Sequence, residues 1–148
     1  MTPSRVVIVG GPSRGKSTEA HLWHLKGYPI HCGDPASTVL YQKPYTNYLP
    51  ESLPFAGEGG AAHWVSRRWF TMTGPWVCEG HVMARALRRW IGERTGFAHA
   101  FPCDLIIVLD KAAHRPTTPQ QEGMHKGVMK VWKEISDYYA PITEWRKD

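Results

Sequence analysis

The chain alternates short, continuously apolar runs with longer stretches that have helical spacing. Arg5 to Val9 reads as a buried strand, and Lys16 to about Leu25 as a helix stopped by Gly27. "YPIHCGDP" gives a short second strand ending at Gly33, Asp34 and Pro35. From Ala36 to Gly60 the pattern is irregular, broken by Pro44, Pro50 and Pro54. That is longer than most connections in compact domains, so it predicts a functional or cap-forming segment. "AAHWVSRRWFTM" returns to helical spacing through Val65, Trp69 and Met72, which extends the expected cap to about residues 36–75. "PWVCEG" is a third strand ending at Glu79 and Gly80. "HVMARALRRWIGERTG" is a helix with Val82, Ala86, Leu87 and Trp90 inward and Arg85, Arg88 and Arg89 largely outward. The clearest buried strand is Asp104 to Leu109, ending in Asp110.

The last section is a loop, "HRPTTPQQ", followed by a long helix. Thr118 suits the N-cap, Pro119 the first helical position, and Gln121 the capping box. Met124, Val128, Val131, Trp132, Ile135 and Tyr139 then mark the apolar face. Gly123 and Gly127 weaken the helix start by about 1 kcal/mol each relative to Ala. "APITEW" offers a short final strand. This strand–helix order predicts the α/β class: a three-layer α/β/α sandwich around a mostly parallel sheet, in one domain spanning residues 1–148.

Charge and cysteines narrow the picture. The net charge of +5 favours an anionic partner, either nucleic acid or nucleotide. No apolar stretch is long enough to cross a membrane, and no signal peptide opens the chain, so the expected location is cytoplasmic. Cys32, Cys78 and Cys103 lie far apart without metal-binding spacing and read as buried free thiols. His21 and His24 share a helix face, with no third ligand apparent.

The chemistry is concentrated in "VVIVGGPSRGKSTEA". Gly10, Gly15, Lys16 and Ser17 satisfy G-x-x-x-x-G-K-[ST], between a strand and a helix. In that context backbone N–H groups from Gly11, Pro12, Ser13, Arg14 and Gly15 through Lys16, Ser17 and Thr18 form the expected cradle, Pro12 itself supplying no donor. Lys16 reaches the terminal phosphates of a nucleoside triphosphate, and Ser17 ligates Mg²⁺. The expected cofactors are therefore ATP, or another nucleoside triphosphate, and Mg²⁺.

In parallel sheets ligands gather at the carboxyl ends of strands, and several polar residues sit there. Asp34 can take the proton of an attacking hydroxyl and contact the acceptor, although "GDP" also suits an ordinary turn. Glu79 can hold Mg²⁺, or simply face a helix dipole. Which of these two carboxylates is the base stays open. Arg115, in the loop after the fourth strand, can close over the phosphates, making about 111–127 a lid-like segment. Arg85 can face an anionic substrate. Lys126, Lys130 and Lys133 form a basic stripe that is either solvated or set against phosphates. Trp64, Trp69, Trp76, Tyr41, Tyr45, Tyr48 and Phe55 serve the core, with one or two available to stack on a base.

The loop motif, the strand-two Asp, "VCEG" with its arginine helix and the late arginine loop resemble the small nucleotide and nucleoside kinases of adenylate-kinase-like fold. "PWVCEGHVMARALRRW" and "LDKAAHRPTTPQQEGMHKGVMKVWKEI" look like small kinases encoded by bacteriophages, some of which phosphorylate 5-hydroxymethyluracil in DNA. The resemblance implies Lys16 and Ser17 as phosphate and Mg²⁺ residues, Asp34 as base and Arg115 as lid arginine. It also implies DNA containing a modified pyrimidine as partner. A kinase of a free nucleotide or small metabolite, and a catalytically silent nucleotide-binding module, are the alternatives.

Overall fold

The computed structural model describes residues 2–34, 43–50, 57–93 and 100–147. Within them lie six strands: β1 (Arg5–Val9), β2 (Ile30–Cys32), β3 (Thr46–Tyr48), β4 (Trp76–Gly80), β5 (Leu105–Asp110) and β6 (Thr143–Lys147). The four α-helices are α1 (Lys16–His24), α2 (Gly57–Trp64), α3 (Met83–Glu93) and α4 (Pro119–Tyr139). A π-helical turn, Val65–Trp69, extends α2, and a 3₁₀ turn, Ala140–Ile142, ends α4. The strands form one sheet in the order β3-β2-β4-β1-β5-β6, and every pairing is parallel.

Side-chain alternation along β1 builds the layers. Val6 and Ile8 pack with Ile30, Val77, Ile107 and Leu109 beneath Ala20 and Trp23 of α1. Val7 and Val9 point the other way, into a larger cluster from α2, α3 and α4. Trp76, Trp132 and Tyr139 are its largest buried side chains. Emptying a site like that of Trp132 costs about 3–5 kcal/mol. Both faces of the sheet's centre are covered, so β1 and β5 are apolar without alternation, as parallel sheets require.

The sequence reading and the structure diverge in places. β3 lies inside the segment read as irregular; its "TNY" is too short and polar to register as a strand. β5 starts one residue later than expected, because Asp104 turns aside. Its carboxylate accepts the backbone N–H groups of Ser4 and Arg5 at 3.0 and 2.9 Å and pairs with the Arg5 guanidinium. On α4 the capping box is present: Thr118 Oγ1 accepts from Gln121 N at 3.1 Å and Gln121 Oε1 accepts from Thr118 N at 2.9 Å. The buried stripe of that helix begins at His125, while Met124 is only half-buried.

Register then places the site. Val9 aligns with Gly80 on β4 and Val108 on β5. The chain leaving β1 therefore emerges between the carboxyl ends of both neighbours.

Candidate active site

That chain is the glycine loop. It turns through Ser13 at φ 59° and Gly15 at φ 93°, both left-handed, and Gly15 caps α1 with no side chain. The orphan N–H groups of the first helical turn are thereby left pointing outward, which is the requirement for an anion cradle. Lys16 is buried, and its Nζ donates to the Gly11 carbonyl at 3.1 Å. Ser17 and Thr18 are exposed to a cavity of about 600 Å³, which Arg115 and the carboxylates also line.

Histidine and arginine contacts that cross the chain hold the loop from behind. Gly11 N–H donates to His125 Nδ1 at 3.0 Å. The ring is therefore neutral, with Nε2–H donating to Asp110 Oδ1 at 3.1 Å. Burial pushes the His125 pKa down, outweighing the opposing pull of Asp110. Only glycine fits at position 11, since a Cβ there would sit 2.5 Å from both Cα and Cβ of His125. The Arg14 guanidinium binds Glu122 at 2.6 Å and the carbonyls of Pro12 and Lys111. Its side chain thus faces the loop's own scaffold, which leaves its backbone N–H for the cradle. Arg115 Nε donates to Ser13 Oγ at 3.2 Å, and His114 N–H to the Ser13 carbonyl at 3.1 Å.

Opposite the loop stand two carboxylates. Asp34 follows β2, where Oδ1 accepts the His81 backbone N–H at 2.9 Å and meets His81 Nδ1 at 2.5 Å. Its other oxygen lies 3.8 Å from Lys16 Nζ. Burial works to raise the Asp34 pKa, but the His81 hydrogen bond, then the charges of Lys16 and His81, hold it down at about 2. Glu79, on β4, is 4% exposed. Burial and the neighbouring Asp34 charge push its pKa up. Its Oε2 is buried and has no hydrogen-bond partner among the described residues. An orphaned carboxylate oxygen beside the loop, with the Ser17 hydroxyl on the same cavity, is an all-oxygen donor set of the kind Mg²⁺ takes.

Arg85 lines a separate cavity of about 330 Å³ with His81, Gly123 and Gly127. It does not line the main cavity, though His81, which shares its cavity, touches Asp34. Of the aromatics, Trp69 and Trp76 are core, and Trp64 is half-buried under Arg68. Tyr45 stacks on His24 at 4.4 Å, and Tyr48 lines the main cavity. Tyr41 and Phe55 lie outside the described residues. Lys126, Lys130 and Lys133 are exposed on α4. Sequence reasoning missed His81 and His125. The spacing His125, Val128, Trp132, Ile135, Tyr139 did carry a signal, a titratable residue on a buried helical face.

The architecture is similar to that of a solved thymidylate kinase over nearly its whole length. The thymidylate kinase of Candida albicans aligns with a TM-score of 0.50 and 10% identity, over 99% of this chain and 85% of that one. This chain has a P-loop kinase-like fold. A shikimate kinase of Acinetobacter baumannii, solved with shikimate, aligns with a TM-score of 0.48 and 15% identity, over 99% of this chain and 83% of that one. No protein-family profile and no curated protein sequence matches the chain. No helix among the described residues is long and apolar enough to cross a membrane.

Proposed function

We propose that the protein transfers the γ-phosphoryl group of ATP to a hydroxyl. The observation that carries this reading is the placement of Asp34 Oδ2, 3.8 Å from the loop lysine and on the cavity that also holds Arg115. A silent binding module has no need of an ionised carboxylate at that point. The donor residues would act as follows. The loop N–H groups and Lys16 bind the phosphates, and Arg115 offsets charge as it moves toward the leaving oxygen. His81 occupies one oxygen of Asp34 and so orients the other toward an incoming hydroxyl. The hydroxyl oxygen bonds to phosphorus, the bond to the ADP oxygen breaks, and the hydroxyl proton passes to Asp34. With its pKa held at about 2, Asp34 is ionised throughout the neutral range and accepts that proton late, as a loose transition state permits. Mg²⁺ would be held by Ser17 and Glu79, and when bound it neutralises phosphate charge.

For the acceptor we infer the hydroxymethyl group of 5-hydroxymethyluracil in phage DNA. The support is the resemblance of residues 75–90 and 109–135 to phage kinases, together with the net charge of +5. A second reading, a free nucleotide or small metabolite, is favoured by Lys43, Thr46 and Tyr48. They give the acceptor side of the cavity a polar wall suited to a compact compound. Label transfer from γ-labelled ATP to 5-hydroxymethyluracil DNA and to the matching free nucleotide, across a salt series, separates them. Transfer to DNA is expected to fall steeply with salt, because each neutralised phosphate releases counterions. Replacing Lys126, Lys130 and Lys133 with Glu is expected to flatten that slope while ATP binding holds. Transfer to the free nucleotide alone overturns the DNA reading.

A further inference from the structure

The acceptor side of the cavity holds one group that phosphoryl transfer does not use. Cys32 ends β2, directly in register with Glu79 on β4. The Cys32 Sγ and one carboxylate oxygen each from Asp34 and Glu79 all lie within 4.8 Å of one another. All three residues line the main cavity, so an ion has a way in. Cys32 and Glu79 are each 4% exposed, and Glu79 Oε2 is the buried oxygen with no partner among the described residues. The Cys32 thiol and the Glu79 carboxylate are hydrogen-bonded to each other, so sulfur and oxygen already face one another, and Oε2 still has no partner of its own.

We propose that Cys32, Glu79 and Asp34 form a binding site for a borderline-soft divalent cation, with Zn²⁺ as the type ion. One sulfur and two oxygens are a ligand set that Zn²⁺ accepts and that Mg²⁺, which takes oxygen, does not complete. Around a tetrahedral ion the ligand atoms stand about 3.5 Å apart, so small rotations of the three side chains close the site. The fourth position opens to the cavity and takes water. Binding replaces the Cys32 S–H bond with a sulfur–metal bond and releases the thiol proton to solvent. Lys16 and His81 already hold Asp34, which makes it the weakest ligand and Cys32 with Glu79 the core of the site.

The ion would take both carboxylates that the kinase reading assigns to the acceptor and to Mg²⁺. Zinc is then an inhibitor that Mg²⁺ relieves poorly. That consequence rests on the proposed function, whereas the site itself does not.

Cd²⁺ titration of the reduced protein in excess Mg²⁺, followed by the ultraviolet thiolate-to-cadmium charge-transfer band, tests the site without turnover. One equivalent is expected to saturate the band. Cys32→Ser is expected to abolish it, and Glu79→Gln to weaken binding at least tenfold. Cys78→Ser and Cys103→Ser are expected to keep it. No band in the wild-type protein, a band that survives Cys32→Ser, or undiminished affinity in Glu79→Gln overturns the proposal. If Cys32→Ser does not fold, the Glu79→Gln and Cys103→Ser titrations still decide it. A normal cadmium band in a protein that transfers no phosphate would sink the kinase reading and leave the site standing.

Discussion

The two ends of the main cavity are built on different terms. At the donor end, contacts from distant parts of the chain pin the loop: His125 holds Gly11, Glu122 and Lys111 hold Arg14, and His114 and Arg115 hold Ser13. The acceptor end rests on β2 and β3, two three-residue strands at one edge of the sheet. There Asp34 is held through His81, and the described side-chain contacts of β3 stay within the edge itself, Asn47 Nδ2 donating to the Ile30 carbonyl and Lys43 N–H to the Tyr48 hydroxyl. The difference fits what each end would do under the proposed function. Charge stabilisation works only if the donors stand in place before the charge moves, so the phosphate end has to be rigid. An acceptor wall made of short edge strands carries less burial and opens more readily, which leaves room for substrates to differ.

The harshest test of the rigid end is Lys16→Ala. It removes the cation proposed to bind the terminal phosphates and also the loop's bond to the Gly11 carbonyl. Transfer is expected to fall about 10³-fold or more, the upper scale for a lost electrostatic donor, with the fold intact by circular dichroism. Near-normal turnover would contradict the kinase reading.

Asp34→Asn probes the other end. The amide still fits beside His81 but takes no proton. The chemical step is expected to drop about 10²-fold, with ATP affinity nearly unchanged. Single-turnover kinetics and ATP titration separate the two. If ATP affinity collapses instead, Asp34 serves the metal and Glu79 becomes the base.

How much of this contrast was legible in the sequence depended on the range of the contacts. The loop, β1, β5 and the α4 capping box are local patterns, and the expected elements match the described ones there. β3 was invisible because Thr46, Asn47 and Tyr48 carry no apolar run, and their strand exists only through pairing with β2. The anchoring of the loop was invisible for a related reason. Gly11 and His125 are 114 positions apart, and no spacing rule connects them. Arg14 shows the limit from the other side: the motif gives its position, but only the fold shows its guanidinium turned to Glu122.

Gly11→Ala sharpens the claim of rigidity. The new methyl group would meet His125 at 2.5 Å, and both partners are buried. The backbone has to shift, at a cost of about 1–3 kcal/mol in stability. ATP affinity is expected to fall further than stability alone explains, because the Gly11 carbonyl that accepts from Lys16 Nζ moves with the displaced backbone. Chemical denaturation with and without ATP measures both. A variant of wild-type stability would mean that the loop yields freely.

The smallest effect is the most specific. Gly11 needs Nδ1 of His125 as an acceptor, and that requires the neutral ring. Burial holds the folded pKa below the ordinary value of 6.5, even though Asp110 and Glu122 pull it up, and Arg14 adds to the depression. Below 6.5 the unfolded chain therefore binds more protons at this residue than the folded one. The sign follows from linkage: stability contributed by His125 is complete above about pH 6.5 and is lost as pH falls toward the lower, folded value. Asp34, Asp104 and Glu122 have depressed values and lose their contributions only in more acid solution. Glu79, with its raised value, changes in the opposite sense. Comparing wild type with His125→Asn cancels these common terms. Between pH 7 and 5 the wild type is expected to lose about 1 kcal/mol more than the variant, the net worth of one hydrogen bond. Parallel denaturation curves for the two proteins across that range would show that His125 does not hold the loop through its neutral ring.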